Sequence, residues 1–190
     1  MPVCQTTISV PLGLGRSITV RPIRPEDIDL ETEFDQNLSQ QSRYHRFLGA
    51  GIKPTPEWLD KLVRVDFSRD MALIATVTVE DRETQIGVAR YVRLKDGISC
   101  EFAIAVADTW QGCGVGRQLL QKLIDCAAAS GIVRIEGDVL SINRPMLGLA
   151  SRLGFRILAH PDGAELKRVA MELRSEGRSA AAFQPESSAR

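Results

Sequence analysis

From Ser17 to Arg21 the apolar residues Ile18 and Val20 alternate with polar neighbours, the period-two pattern of a strand with one buried face. At Arg24-Pro25-Glu26-Asp27 the pattern changes. A proline suited to a first helical turn and acids suited to its positive end predict a helix from about Pro25 to Leu38. Residues 39–56 read as a loop, with room for a short helix over Ser42–Phe47. Thr55 as N-cap and Pro56 at the first position open a helix through Trp58, Leu59, Leu62 and Val63. Three β-branched, apolar runs follow, Met71–Val79, Gln85–Arg93 and Ile98–Val106. Turns at Glu80–Thr84 and Asp96–Gly97 join them, which predicts an antiparallel meander. Leu119, Leu120, Leu123, Ile124 and Ala127 recur at helical spacing, and Gly131 suits the C-terminal cap. Ile132–Leu140 is a further strand. Asn143 and Pro145 open a helix that ends at Gly154, and Phe155–Ala159 and Glu165–Leu173 are the last two strands. The order βαα-βββ-α-β-α-ββ makes this an α/β domain with a mixed sheet.

Residues 1–16 read as a flexible arm and residues 175–190, rich in Ser, Ala, Arg and Glu, as a disordered tail. One domain over 17–174 is expected between them. Lysine plus arginine total 24, as do aspartate plus glutamate, so no global field attracts a polyanion and nucleic acid is not an expected partner. The four cysteines lack C-x-x-C spacing and the two histidines are far apart, so no metal is expected. Neither a signal peptide nor an apolar run of membrane length is present, and scattered thiols fit a reduced, cytoplasmic protein.

The strand Ile98–Val106 runs into Gln111-Gly112-Cys113-Gly114-Val115-Gly116-Arg117 and then into a helix. Such a join presents free backbone N–H groups at the positive end of a helix, a ready site for phosphate oxygens. Glycine lets a ligand approach the backbone closely, and Arg117 could add charge. No Lys-Ser or Lys-Thr follows, which excludes a P-loop. The loop also follows a meander rather than the first strand of a parallel βαβ unit, against a dinucleotide site. On the loop alone, a glycine turn with no ligand stays open.

Two further features narrow the choice. Gln111-x-x-Gly114-x-Gly116 resembles the Q/R-x-x-G-x-G/A pattern of the GNAT N-acetyltransferases, between the same strand and helix as in that family. Asn143 and Leu153-Gly154-Phe155 resemble its next motif. The resemblance covers about 17–174. Ser42-Arg43-Tyr44-x-Arg46-Phe47, Val65-Asp66-Phe67, Met71-Ala72-Leu73 and Glu101-Phe102-Ala103 look like the GNAT domain of bacterial Pat-type protein lysine acetyltransferases. The resemblance implies acetyl-CoA as cosubstrate and an amine acceptor, a protein lysine or a small amine, with a non-catalytic acetyl-CoA sensor as the third reading. The protein is expected to be a monomer or a homodimer.

Acetyl transfer to an amine needs a base for the ammonium proton and a donor for the developing oxyanion. Alternation along 98–106 puts Cys100, Phe102, Ile104 and Val106 toward the core, and Glu101 on the other face with Ala103 and Ala105. Glu101 is the expected base, and the resemblance agrees; a solvated strand glutamate is the bland alternative. The resemblance further implies cofactor contacts at Ile104 and Val106, with the oxyanion donor a backbone N–H near Val106. It also implies cofactor contacts at Gln111, Gly112, Cys113, Gly114, Val115, Gly116 and Arg117. Asn143 is either a contact to the pantetheine arm or a plain helix cap. Arg43, Tyr44 and Arg46 are the expected acceptor-side residues. The tyrosine many GNAT enzymes use as an acid is replaced by Ala150. Cys113 lacks a paired base and reads as passive.

Overall fold

The computed structural model describes residue 4 and residues 7–13, 16–48 and 54–173. The tail expected at 175–190 lies outside them. The strands are β1 (Ile8–Gly13), β2 (Arg16–Pro22), β3 (Met71–Val79), β4 (Arg82–Arg93), β5 (Ser99–Val106), β6 (Arg134–Leu140), β7 (Arg156–His160) and β8 (Gly163–Glu172). The helices are α1 (Ile28–Asn37), α2 (Gln40–Arg46), α3 (Pro56–Val63), α4 (Val115–Ala129) and α5 (Arg144–Arg152). All eight strands form one sheet in the order β1-β2-β3-β4-β5-β6-β8-β7, and β5–β6 is its one parallel pairing among the described residues.

The expected order is present with three differences. Ile8–Gly13, placed by the sequence reading in an N-terminal arm, is an edge strand paired antiparallel with β2. Pro11 suits that place, because an edge strand leaves one row of backbone groups without a sheet partner and a proline has no N–H to offer. The short helix expected at Ser42–Phe47 is a full element, α2, that starts earlier, at Gln40, because Ser39 caps it by accepting from the Ser42 N–H at 3.1 Å. Pro25–Asp27 is a 3-10 turn leading into α1 rather than its first α-turn.

The sheet separates two apolar layers. On one side Leu119, Leu120 and Leu123 of α4 and Leu147 and Ala150 of α5 meet Leu73, Tyr91, Cys100, Phe102 and Ile135. On the other, Phe34 of α1 and Val63 of α3 meet Ile23, Ala72, Ile74 and Val88. Helix α4 closes at the predicted Gly131, where the Gly131 and Ile132 N–H groups return to the Ala128 and Ala127 carbonyls. The Leu153-Gly154-Phe155 motif ends α5 in the same way. Phe155 N–H bonds the Ala150 carbonyl, and its ring packs 5.2 Å from that of Phe102. Among the described residues no helix is long and apolar enough to cross a membrane.

Candidate functional site

The parallel ladder between β5 and β6 holds Ser99↔Arg134, Cys100↔Ile135 and Glu101↔Glu136, and no further pair among the described residues. Yet β5 continues to Val106 and β6 to Leu140. Beyond Glu101 the two strands therefore part and leave a cleft. The direction of the β5 backbone follows from its bonds. The Ile98 carbonyl accepts from Val133 on the β6 side, and the Ser99 carbonyl accepts from Leu94 on the β4 side. Successive peptide groups alternate, so the main-chain groups of Ile104 and Val106 face the cleft. Their side chains pack against the α4 and α5 layer.

The cleft ends at the glycine loop. A 3-10 turn, Asp108–Trp110, carries the chain from β5 into Gln111–Gly114. Gly112 and Gly114 have φ of 74° and 92°, a region in which side chains with a Cβ are strained. Gly114 caps α4 without any side chain to satisfy the first-turn amides. The N–H groups of Val115, Gly116 and Arg117 precede the first intrahelical bond, from Gln118 to the Gly114 carbonyl, so they are free to meet an anion. At Gly116 an added Cβ would lie 3.3 Å from Leu149 Cδ2 and 3.6 Å from Val106 Cγ2, so glycine keeps the helix start against the cleft. A chain of phosphates and an extended amide arm fit these donors: the phosphates at the amides of 115–117, the arm along the free edge of β5.

Gln111 stands differently. Its Nε2 donates to the Val106 carbonyl and to Ser42 Oγ, both at 3.1 Å, so its side chain serves the protein rather than facing the amide cradle. Cys113 is exposed, and its Sγ lies 3.6 Å from the Gln111 carbonyl. Asn143 Oδ1 accepts from the Met146 N–H at 3.2 Å and caps α5. Buried Ala150 is far from supplying an acid, and the chain's two tyrosines, Tyr44 and Tyr91, lie on α2 and β4.

Glu101 is exposed on the sheet face opposite α4, in line with Ala103 and Ala105. Its carboxylate has no hydrogen-bond partner among the described residues, but it lies in the field of the Arg168 guanidinium. Its register partner Glu136 is held by Arg134 Nε at 2.8 Å and Arg168 Nη1 at 3.4 Å. Asp138 lies below its usual pKa range. Burial works against this, but hydrogen bonds from Arg168 and His160 outweigh it. Next to Ala103 and Ala105 is a depression of about 140 Å³ walled by Phe47, Trp58, Leu62 and Val88. The Phe47 and Trp58 rings meet edge to face at 5.6 Å.

Of the three acceptor-side residues, two are turned inward. The Arg43 guanidinium closes the end of α1, bonding the Asp35 and Gln36 carbonyls at 3.2 and 2.6 Å. Arg46 pairs with buried Glu31 at 2.7 Å and lies 3.5 Å from Asp35, so its charge is already compensated. Only Tyr44 presents its side chain to solvent. Arg90, which with Arg46 also lines the depression, lies 3.8 Å from Glu31, and burial pushes its pKa down to about 10.

The sequence profile of the acetyltransferase (GNAT) domain matches residues 17–156. The chain belongs to the GNAT acetyltransferase family. Within it, the chain is 34% identical over 148 residues to acetyltransferase PA5475 of Pseudomonas aeruginosa, covering 78% of this chain and 80% of that protein. It is 31% identical over 150 residues to acetyltransferase Pat of Mycolicibacterium smegmatis, where it spans 44% of the relative's length and 78% of its own. The crystal structure of the GNAT domain of S. lividans PAT is similar, with TM-score 0.80 and 25% identity, covering 88% of this chain and 97% of that one.

Sequence reading missed several parts of this GNAT site. The Phe47–Trp58 wall was invisible because the two residues are joined only through the packing of α2 and α3. Arg90 carried a signal, a lone charge inside the apolar run Val88-Ala89-Arg90-Tyr91. Ser42 carried only its place in the Ser42-Arg43-Tyr44-x-Arg46-Phe47 resemblance, and Asp108 and Ser39 carried none beyond being polar residues at element ends.

Proposed function

We propose that this GNAT enzyme moves an acetyl group from acetyl-CoA to a primary amine by direct attack, and that the acceptor is a lysine side chain of a protein. One observation carries the reading. The unladdered edge of β5 leads through the glycine loop to the amide-rich start of α4, and the same strand bears an exposed carboxylate, Glu101, that no hydrogen bond ties down among the described residues.

The residues divide the work. The amides of Val115, Gly116 and Arg117 hold the pyrophosphate, and the cleft edge at Ile104 and Val106 holds the pantetheine arm. Glu101 takes the proton of the acceptor ammonium, directly or through a water, since only the free amine can attack. The nitrogen then bonds to the thioester carbon, a cleft-facing N–H near Val106 receives the developing oxyanion, the carbon–sulfur bond breaks, and the nitrogen's remaining excess proton passes to the departing sulfur, directly or through water. The thiolate leaves without a side-chain acid, consistent with Ala150 at the usual tyrosine position.

The acceptor side favours a long aliphatic amine. The depression beside Ala103 and Ala105 is walled mainly by Phe47, Trp58, Leu62 and Val88, and a lysine has an apolar stem with a charged tip.

The first test is calorimetric titration with acetyl-CoA, comparing wild type with Gly114→Glu. Binding by wild type alone supports the reading; no binding by folded wild type overturns it. Labelled acetyl-CoA with cell protein and with a panel of small amines then separates a protein acceptor from a metabolite.

A further inference from the structure

The carboxylate of Asp108 joins two parts of the molecule that are 66 to 69 residues apart in sequence. Its Oδ2 accepts from the Ser39 N–H at 2.9 Å. Its Oδ1 accepts from Ser39 Oγ at 2.7 Å and from Ser42 Oγ at 2.8 Å. The Ser42 hydroxyl, while donating to Asp108, accepts from Gln111 Nε2, which also donates to the Val106 carbonyl. A continuous set of hydrogen bonds thus runs from the cleft edge of β5, through the first residue of the glycine loop, to the N-terminus of α2. Asp108 is held below the usual carboxylate range. Desolvation works against this, and the bonds from Ser39 and Ser42 outweigh it.

Each end of this path has a job. Gln111 opens the loop whose amides are free for the pyrophosphate. Helix α2 leads into Arg46 and Phe47, which border the depression beside Ala103 and Ala105. The other end of α2 is anchored on α1 by Arg43 and Arg46, so the Asp108 bonds are what set its near end against β5.

We propose that Asp108 and Ser42 are positioning residues that couple the cofactor loop to the acceptor wall, so that filling the loop steadies α2 before the acceptor arrives. The inference rests on the acetyl-CoA reading above. A ligand that fixes the loop fixes Gln111, and through Ser42 it lowers the entropy cost of ordering α2 for a second ligand. All five bonds are at least partly open to water, so they are individually weak and open locally, which is what makes them responsive to a ligand.

The test is hydrogen–deuterium exchange on the full chain with and without coenzyme A, for wild type, Ser42→Ala and Ser42→Thr. Calorimetry on the same samples measures coenzyme A binding. Coenzyme A is expected to slow exchange at residues 112–117 in all three proteins. At residues 43–47 it is expected to slow exchange about tenfold in wild type and Ser42→Thr, and less than about twofold in Ser42→Ala, as befits one or two hydrogen bonds. Unchanged exchange at Leu119–Ile124 shows that the variant is folded; if it is not, Asp108→Asn takes its place with the same expectation. A protected loop with unresponsive α2 in wild type, or full α2 protection in Ser42→Ala, overturns the coupling and leaves the cofactor reading intact. No heat and no protection anywhere overturns the cofactor reading itself.

Discussion

Glu101 and Glu136 stand side by side in register on the two parallel strands of the sheet, and they are the last pair before those strands separate. They are chemically unequal. Glu136 is bound by Arg134 and Arg168, and its side chain is 14% exposed. Glu101 is exposed and feels Arg168 only through space, without a hydrogen bond among the described residues. The first is spent on holding β6 to β8, and the second is available to an incoming proton.

Glu101→Gln is therefore expected to lower kcat by about 10²- to 10⁴-fold, the usual contribution of a general base, with coenzyme A affinity unchanged. Glu136→Gln should lower it by less than about tenfold. Steady-state kinetics with calorimetry on each variant checks both. Equal losses in the two variants would remove the distinction.

Gly137 of β6 lies against Phe102 of β5, just past the last ladder pair. A Cβ there would lie 2.9 Å from the Phe102 carbonyl oxygen, a backbone atom with nowhere to go. Gly137→Val should destabilise the fold by about 1–3 kcal/mol, the cost of overpacking a tight core. It should also weaken coenzyme A binding by moving β6 relative to β5. Urea unfolding and calorimetric titration measure the two effects.

Glu31 has no solvent exposure, and Arg46 at 2.7 Å is its nearest cation, with Gln85 Nε2 donating to its other oxygen and Arg90 at 3.8 Å. Arg46→Met leaves a buried carboxylate short of its cation and should cost about 3–5 kcal/mol. Adding Glu31→Gln to that variant should recover at least about 1 kcal/mol, because the two changes act on one contact. Denaturant unfolding of Arg46→Met, Glu31→Gln and the double variant gives the coupling directly.

Arg21 and Asp27 form a buried, bidentate pair at 2.7 and 2.8 Å, with Glu83 adding a third contact. Asp27 sits below its ordinary pKa. Desolvation pushes the other way, but hydrogen bonds from Arg21 and the Arg24 N–H prevail. A carboxyl whose folded pKa is depressed stabilises the fold above its unfolded pKa, and that contribution fades as pH falls through the folded value. Asp27→Asn should cost about 3 kcal/mol near pH 7, the low end for a broken buried pair, because Arg21 keeps Glu83. The gap to wild type should narrow from about pH 4 downward. Urea unfolding at about pH 7 and pH 3 tests the sign: a constant gap would mean that the charge is not the source.

Much of this site could be read from residue order because it depends on local geometry. The alternation from Cys100 to Val106 separates core side chains from Glu101, and the glycines at 112, 114 and 116 mark a turn that only small residues allow. The Leu153-Gly154-Phe155 stop and the caps at Thr55 and Asn143 belong to the same class. Their partners lie within a turn or two along the chain, so sequence distance and spatial distance agree.

The tertiary structure decided the rest, because the partners are distant in sequence. Nothing local distinguishes an arginine that greets a substrate from one that closes a neighbouring helix, and only the packing of α2 on α1 turned Arg43 and Arg46 inward. The edge strand β1 exists because β2 offers an open row of backbone groups. Gln111 was legible as part of a motif, but its side chain reaches Ser42 and Val106 only because the sheet brings α2 beside the end of β5. The sequence by itself determined the elements, the glycine loop and the carboxylate, all products of short-range sterics and periodicity. The parting of β5 from β6 and the commitment of each charge were settled by folding, since a register and a buried ion pair require two segments to meet.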